Sequence, residues 1–284
     1  MEIRSVGVLG AGQMGLGIAQ AAARAGYDTF MAKATGGALD AQRGKVEKQL
    51  QKDVERGKLT AADQGALLER LRWTTHLHDL ANVDLVIESI VEELPIKRDH
   101  FGRLDEIVQS NAIFATNTST LTVTELAAST SRPARFLGLH FFNPVHAMKL
   151  VEVVTHPKLG RDAIDRATAF ARFLGKEPIV VRDSPGFASS RLGVVLGLEA
   201  MRMLEQGVAS AEDIDKAMEL GYNHPMGPLK LTDLVGLDVR LAIAEHLHKT
   251  LGAPHYEPPK ILRDKVKAGE LGKKTGKGFY TWSA

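Results

Sequence analysis

The stretch that most constrains this chain is Val6-Gly7-Val8-Leu9, followed by Gly10-Ala11-Gly12-Gln13-Met14-Gly15 and an Ala-rich run ending at Gly26. An apolar strand, a glycine turn and then a helix is the context that gives a GxGxxG string structural meaning; the string alone also occurs in flexible loops. Gly10 permits the tight turn, Gly12 lets backbone amides approach a diphosphate, and Gly15 lets the helix pack closely on the strand. Gln13 and Met14 fill the first helical turn, where free N–H groups and the helix dipole favour an anion. The stretch predicts a strand–helix unit that holds a dinucleotide by its phosphates.

Asp28 to Ala32 reads as a second strand, and Lys33 stands eighteen residues beyond Gly15. In NAD-binding sheets an acid at about this distance accepts hydrogen bonds from the ribose hydroxyls, whereas a basic residue accommodates a 2′-phosphate. Lys33 therefore leaves NADP open beside NAD. A solvated lysine at a strand end is the plainer alternative.

Residues 36 to about 70 are polar and helical in pattern, with Lys45, Lys48, Lys52, Arg56 and Lys58 spaced so that several share a face. Such a face meets a phosphate-bearing ligand or simply solvent. Val83 to Glu88 reads as a buried strand, followed by Glu92 and Glu93 and by Pro95 opening a helix that carries Lys97. Ile113 to Thr116 is the next strand, ending in Asn117-Thr118-Ser119. Thr122 and Glu125 form a capping-box pattern. Arg135 to Leu139 runs into His140-Phe141-Phe142-Asn143-Pro144, and the proline pushes Asn143 toward an extended conformation. Lys149 to Val154 carries Glu152, and Glu177 to Val181 is the last strand.

Strands alternating with helices argue an α/β fold with a Rossmann-type doubly wound, mostly parallel sheet, in which ligands bind beyond the carboxyl ends of the strands. After residue 183 the pattern changes. Phe187 to Gln206 is apolar around nearly its whole circumference, Ser210 caps a further helix, and helices continue to about residue 268. The expected organisation is a dinucleotide-binding domain over 1–183 and an all-helical C-terminal domain over 184–284, whose over-apolar helix suggests a homodimer contact.

The net charge of +2 is too small to imply a nucleic-acid or membrane partner, and no apolar run approaches a membrane span. Among the 284 residues there is no cysteine, which removes thiol nucleophiles and Cys-ligated zinc. The ten histidines lack metal-ligand spacing, so no metal is expected. With no leader at the N-terminus, a cytoplasmic location is expected.

Ser119, His140 and Glu152 place a hydroxyl, an imidazole and a carboxylate on successive strand ends of the sheet. Carbinol oxidation needs a base for the hydroxyl proton as hydride leaves carbon, and a carboxylate that orients the imidazole and stabilises its cation. A histidine at a strand end also serves purely structural ends.

Gly10 to Gly15, Asn117-Thr118-Ser119, His140 to Pro144, Ser184-Pro185-Gly186-Phe187 and Lys274-Thr275-Gly276-Lys277-Gly278-Phe279-Tyr280 occur in this order along the chain. Together they resemble the 3-hydroxyacyl-CoA dehydrogenase family, in its short 3-hydroxybutyryl-CoA form, over essentially the whole length. The resemblance implies reversible oxidation of an L-3-hydroxyacyl-CoA to the 3-oxoacyl-CoA with NAD, by a dimer built through the helical domain. It further implies His140 as general base, Glu152 as its partner and Ser119 as a substrate-hydroxyl contact. Glu92, Lys97, Asn117 and Asn143 match cofactor positions, and the side bearing Lys52 and Arg56 matches the one that meets coenzyme A. Two residues depart from the family pattern: Lys33 replaces its acid, and Ser190 replaces the asparagine usual before Arg191. A serine there still donates one hydrogen bond, and Ser190 stands with His140, Glu152 and Ser119 as a candidate catalytic residue. Two rival readings are a related dehydrogenase of a sugar acid or carnitine, and a non-catalytic dinucleotide-binding protein.

Overall fold

Val6, Val8 and Leu9 are fully buried in strand β1 (Ser5–Leu9), and the chain turns at Gly10 into helix α1 (Gln13–Arg24). In this computed structural model, which describes residues 2–35 and 37–283, the chain divides into two units, Met1–Asp183 and Ser184–Ala284. The first continues through β2 (Asp28–Ala32), α2 (Asp40–Glu55), α3 (Ala61–Arg70), β3 (Leu71–Thr74), β4 (Leu85–Glu88) and α4 (Leu94–Ile107). It ends with β5 (Ile113–Thr116), α5 (Val123–Ala127), β6 (Phe136–Phe141), β7 (Leu150–Thr155), α6 (Arg161–Phe173) and β8 (Glu177–Arg182).

These strands form one sheet in the order β3-β2-β1-β4-β5-β6-β7-β8, parallel throughout except between β6 and β7. The expected doubly wound, mostly parallel sheet is what the chain forms. Strands β4 and β5 are buried along their whole length, which is why they read as unbroken apolar runs rather than alternating ones. Helix α1 lays Ile18, Ala19, Ala22 and Ala23 on the sheet. The alanines let it lie close, and burying Ile18 alone contributes about 1.5–3 kcal/mol.

The structure differs from the sequence reading at four places. The polar segment is two helices broken at Gly57, and strand β3 follows it directly; Gly36, its expected first residue, lies outside the described residues. Thr122 makes no capping bond from its side chain. The carboxylate of Asp183 instead accepts from Thr124 N at 2.7 Å and from its hydroxyl at 2.5 Å, so a longer-range acid replaces the local cap. Strand β6 extends to Phe141, so His140 lies inside it rather than beyond its end. Strand β7 runs against β6, so Glu152 is not at a carboxyl-terminal strand end; it reaches His140 by lying directly opposite it.

The second unit is helical among its described residues: α7 (Ser189–Glu205), α8 (Ala211–Gly221), α9 (Pro228–Val235), α10 (Leu237–Leu251) and α11 (Lys260–Lys267). Ser210 caps α8 by accepting from Asp213 N at 3.1 Å. Helix α7 buries Val194, Gly197, Leu198 and Met201, while Leu192 and Leu196 remain exposed within this unit. The tail closes on Asp233 of α9, which is 1% exposed. Its carboxylate accepts from Phe279 N at 2.8 Å, Tyr280 N at 2.9 Å and Trp282 Nε1 at 2.8 Å.

Candidate dinucleotide and catalytic site

A cavity of about 580 Å³ opens in the first unit along the carboxyl ends of β2, β1, β4 and β5. Lys33, Ala34 and Thr35 line it beyond β2, Gly10 to Met14 beyond β1, and Asn117 and Ser119 beyond β5. Its volume suits a small-molecule cofactor.

Each glycine of the turn has its own reason. Gly10 adopts φ +115°, and a Cβ there would lie 2.3 Å from the Ser89 carbonyl oxygen. A Cβ on Gly15 would lie 1.8 Å from the Gly10 carbonyl oxygen, so this residue packs against the turn itself. A Cβ on Gly12 would meet nothing within 4 Å, leaving open space over the start of α1. No side chain caps that helix and no acid stands in its first turn. Open space, uncapped amides and an unopposed helix dipole fit a diphosphate.

On the β4 side, Glu88 is fully buried and accepts from Lys97 Nζ at 2.6 Å, Thr116 Oγ1 at 2.8 Å and Ile90 N at 2.7 Å. Lys97, 1% exposed, also lies 3.2 Å from Glu92. Glu92 lines the cavity and accepts from Thr118 Oγ1 at 2.5 Å and Ser119 N at 2.9 Å. Burial works to raise the Glu92 pKa, but the Lys97 charge and these hydrogen bonds outweigh it and hold the carboxyl below its usual range. The Lys97 ammonium is thus turned to two carboxylates and does not line the cavity. Asn117 ties strands together, accepting from Phe141 N at 2.8 Å through Oδ1. Lys33 lines the cavity while its ammonium donates to the Ala38 carbonyl at 3.3 Å.

His140 and Glu152 face each other across β6 and β7, with Nδ1 to Oε2 at 2.8 Å. His140 is 7% exposed, Glu152 is fully buried, and the Phe142 ring centroid lies 4.5 Å from the imidazole. An imidazole held by a buried carboxylate is oriented for proton transfer.

The remaining expected site residues are not among those that line this cavity. Asn143 is exposed and precedes a cis peptide to Pro144. Lys52 in the last turn of α2 and Arg56, which caps that helix rather than lying within it, are exposed. Ser190 is the second residue of α7, in the other unit. The cavity also contains residues that the sequence reading passed over: Thr35, Gln42, Ser89 and His100. The available signal for His100 was its place four residues after Ile96, on one face of a helix.

Fold and site together define a dinucleotide-binding oxidoreductase with a nicotinamide cofactor. The chain belongs to the 3-hydroxyacyl-CoA dehydrogenase family: the model of that family's NAD binding domain matches residues 5–184 and that of its C-terminal domain residues 186–282. It is 47% identical to a probable 3-hydroxybutyryl-CoA dehydrogenase of Deinococcus radiodurans, covering 97% of this chain and 99% of that one. It is 44% identical to a 3-hydroxybutyryl-CoA dehydrogenase of Mycobacterium tuberculosis, covering 99% of each. The crystal structure of (S)-3-hydroxybutyryl-CoA dehydrogenase from Ralstonia eutropha is similar over 100% of both chains, with a TM-score of 0.94 and 42% identity.

Proposed function

We propose that this chain interconverts an L-3-hydroxyacyl-CoA of short acyl chain, 3-hydroxybutyryl-CoA, and its 3-oxoacyl-CoA. The observation that carries the reading is the buried His140–Glu152 pair on the sheet that bears the cofactor cavity. The relatives' names support the substrate.

The nicotinamide ring, when bound, supplies the hydride acceptor or donor. Glu152 on Nδ1 orients the imidazole, so that His140 takes the proton of the 3-hydroxyl through Nε2 during oxidation and returns it during reduction. Glu152 stabilises the imidazolium formed meanwhile. Ser119 holds the same oxygen by a hydrogen bond. Glu92, positioned by Lys97, orders the Thr118–Ser119 backbone beside it. Asn117 and Asn143 contribute polar contacts to the cofactor, Ser190 one to the substrate, and Lys52 and Arg56 meet the phosphates of coenzyme A.

Lys33 cannot accept from a ribose diol, so NAD is the family's cofactor but discrimination against NADP is weak in this chain. A homodimer through the helical unit is supported by the exposed apolar residues Leu192, Leu196, Leu231, Leu234, Val235 and Val239. A cytoplasmic location is supported by the lack of cysteine, and among the described residues no helix is long and apolar enough to cross a membrane.

The test is nicotinamide absorbance with acetoacetyl-CoA, NADH and NADPH in parallel, for the parent, His140→Ala and Lys33→Asp. His140→Ala lowers turnover by about 10²–10⁴ with cofactor binding kept. Lys33→Asp sharpens the preference for NADH. Parental turnover by His140→Ala removes the mechanism, and rejection of NADPH by the parent removes the role of Lys33.

A further inference from the structure

The cofactor cavity contains two buried polar atoms without a hydrogen-bond partner, Gln42 Oε1 and His100 Nδ1. His100 is 7% exposed, so water does not compensate it as it would at a surface. Gln42 stands in the first turn of α2, just after the Lys33–Thr35 segment that leaves β2. His100 stands one helical turn after Ile96 on α4, and both line the cavity. Helix α4 touches the 3-10 turn Leu77–Leu80, which in turn touches β2. Gln42 therefore belongs to the β2 side, and His100 lines the same cavity from α4.

A dinucleotide with its diphosphate over Gly12 and its nicotinamide toward Ser119 places its adenosine on that side. The chemistry of the two atoms narrows what they meet. Gln42 Oε1 only accepts, so its partner is a donor. A ribose 2′-phosphate offers oxygens alone and cannot satisfy it, which leaves the ribose hydroxyls and the base as donors, and replacing the 6-amino group separates the two. The adenine base has a donor in its 6-amino group and acceptors in its ring nitrogens, the edge that a glutamine amide pairs with. Burial first, and then the nearby Arg103, hold the His100 pKa below its ordinary value against the opposing charges of Asp99 and Glu88. A neutral imidazole donates from one nitrogen and accepts at the other, which suits a base edge.

We propose that Gln42 and His100 read the adenine base, Gln42 Oε1 accepting from the 6-amino group and His100 Nδ1 bonding to the ring edge beside it. The proposal rests on the nicotinamide dinucleotide reading above and adds the two side chains that select its base. They act on affinity and base selectivity, and take no part in hydride or proton transfer.

The experiment is calorimetric titration of the full chain with NAD and with nicotinamide hypoxanthine dinucleotide, which carries an oxygen in place of the 6-amino group. The parent binds NAD about tenfold tighter than the hypoxanthine analogue, the size of one buried hydrogen bond replaced by two opposed acceptors. Gln42→Leu brings that ratio close to one, while Gln42→Glu, which keeps an acceptor oxygen, preserves the preference. His100→Leu weakens NAD about tenfold, and His100→Asn, which returns an amide near the Nδ1 position, recovers most of the loss. Thermal unfolding of each variant checks that the fold is kept. Equal binding of the two dinucleotides by the parent overturns the proposal while leaving the function intact, as does an unchanged ratio in Gln42→Leu together with unchanged affinity in His100→Leu. Binding of neither dinucleotide by the parent overturns both readings.

Discussion

Two glycine-bearing segments of this chain solve opposite problems. In the Gly10–Gly15 turn, a Cβ on Gly12 would meet nothing within 4 Å. In the tail, a Cβ on Gly278 would lie 2.2 Å from Asp233 Oδ1, and one on Gly272 2.3 Å from the Asp233 carbonyl oxygen. The first segment keeps space clear for an anion that arrives from solution. The second lets the chain close over an anion it already carries. Both gather backbone N–H groups around negative charge, and only the surroundings decide whether that charge is a ligand or a side chain.

The contrast is open to attack by mutation. Asp233→Ala leaves two backbone amides and an indole N–H without their acceptor, and unfolding in urea is expected to show a loss of about 3–5 kcal/mol. NADH affinity, measured by fluorescence, stays at the parental value; a matching loss there would mean that the two segments are not independent. Gly278→Ala forces a methyl group against Asp233 and costs about 1–3 kcal/mol in the same measurement. Gly12→Ala is the reverse case. Its stability stays within about 0.5 kcal/mol of the parent, while dinucleotide affinity falls about tenfold or more. Large destabilisation without loss of binding would show that the space over Gly12 is not where the ligand sits.

The smallest effects lie at the two ends of the pH range. Glu92 has a depressed pKa, so the unfolded chain binds its proton more readily; its contribution is present above about pH 4.3 and fades as pH falls through the lower, folded value. Tyr280 has a raised pKa, through burial first and then its hydrogen bond of 2.7 Å to Asp215. Its contribution is present below about pH 10 and fades as pH rises. Stability profiles of Glu92→Gln and Tyr280→Phe are expected to flatten the acid limb and the alkaline limb respectively. If either variant flattened the opposite limb, these assignments would fail.

The glycine turn was legible in the sequence because glycine marks where backbone must bend or be approached, and its neighbours supplied strand and helix periods on either side. The His140–Glu152 pair was legible by residue type, but its geometry was not. Nothing in the runs Arg135 to Leu139 and Lys149 to Val154 announced that β7 reverses direction. Strand β3 was missed because Leu-Arg-Trp-Thr is only four residues long and follows α3 without a breaking residue. Lys97 looked like a ligand contact, and the structure turns its ammonium to Glu88 instead, a pairing set by the distance between β4 and α4 rather than by spacing along the chain. Asp233 gave no chemical hint except an acid inside an apolar run, the sign of a carboxylate whose partners come from elsewhere.

Strands β6 and β7 place Leu137, Leu139, Phe141, Val151 and Val153 in the hydrophobic core, while His140 and Glu152 alternate with them on the other face. If β7 slipped by one residue as the sheet assembled, Glu152 would turn into that core and His140 would lose its partner. Such a mispaired sheet would have an uncompensated carboxylate in apolar surroundings, at a cost of about 3–5 kcal/mol. The alignment that joins Glu152 to His140 is thus also the one that keeps the carboxylate out of the apolar core.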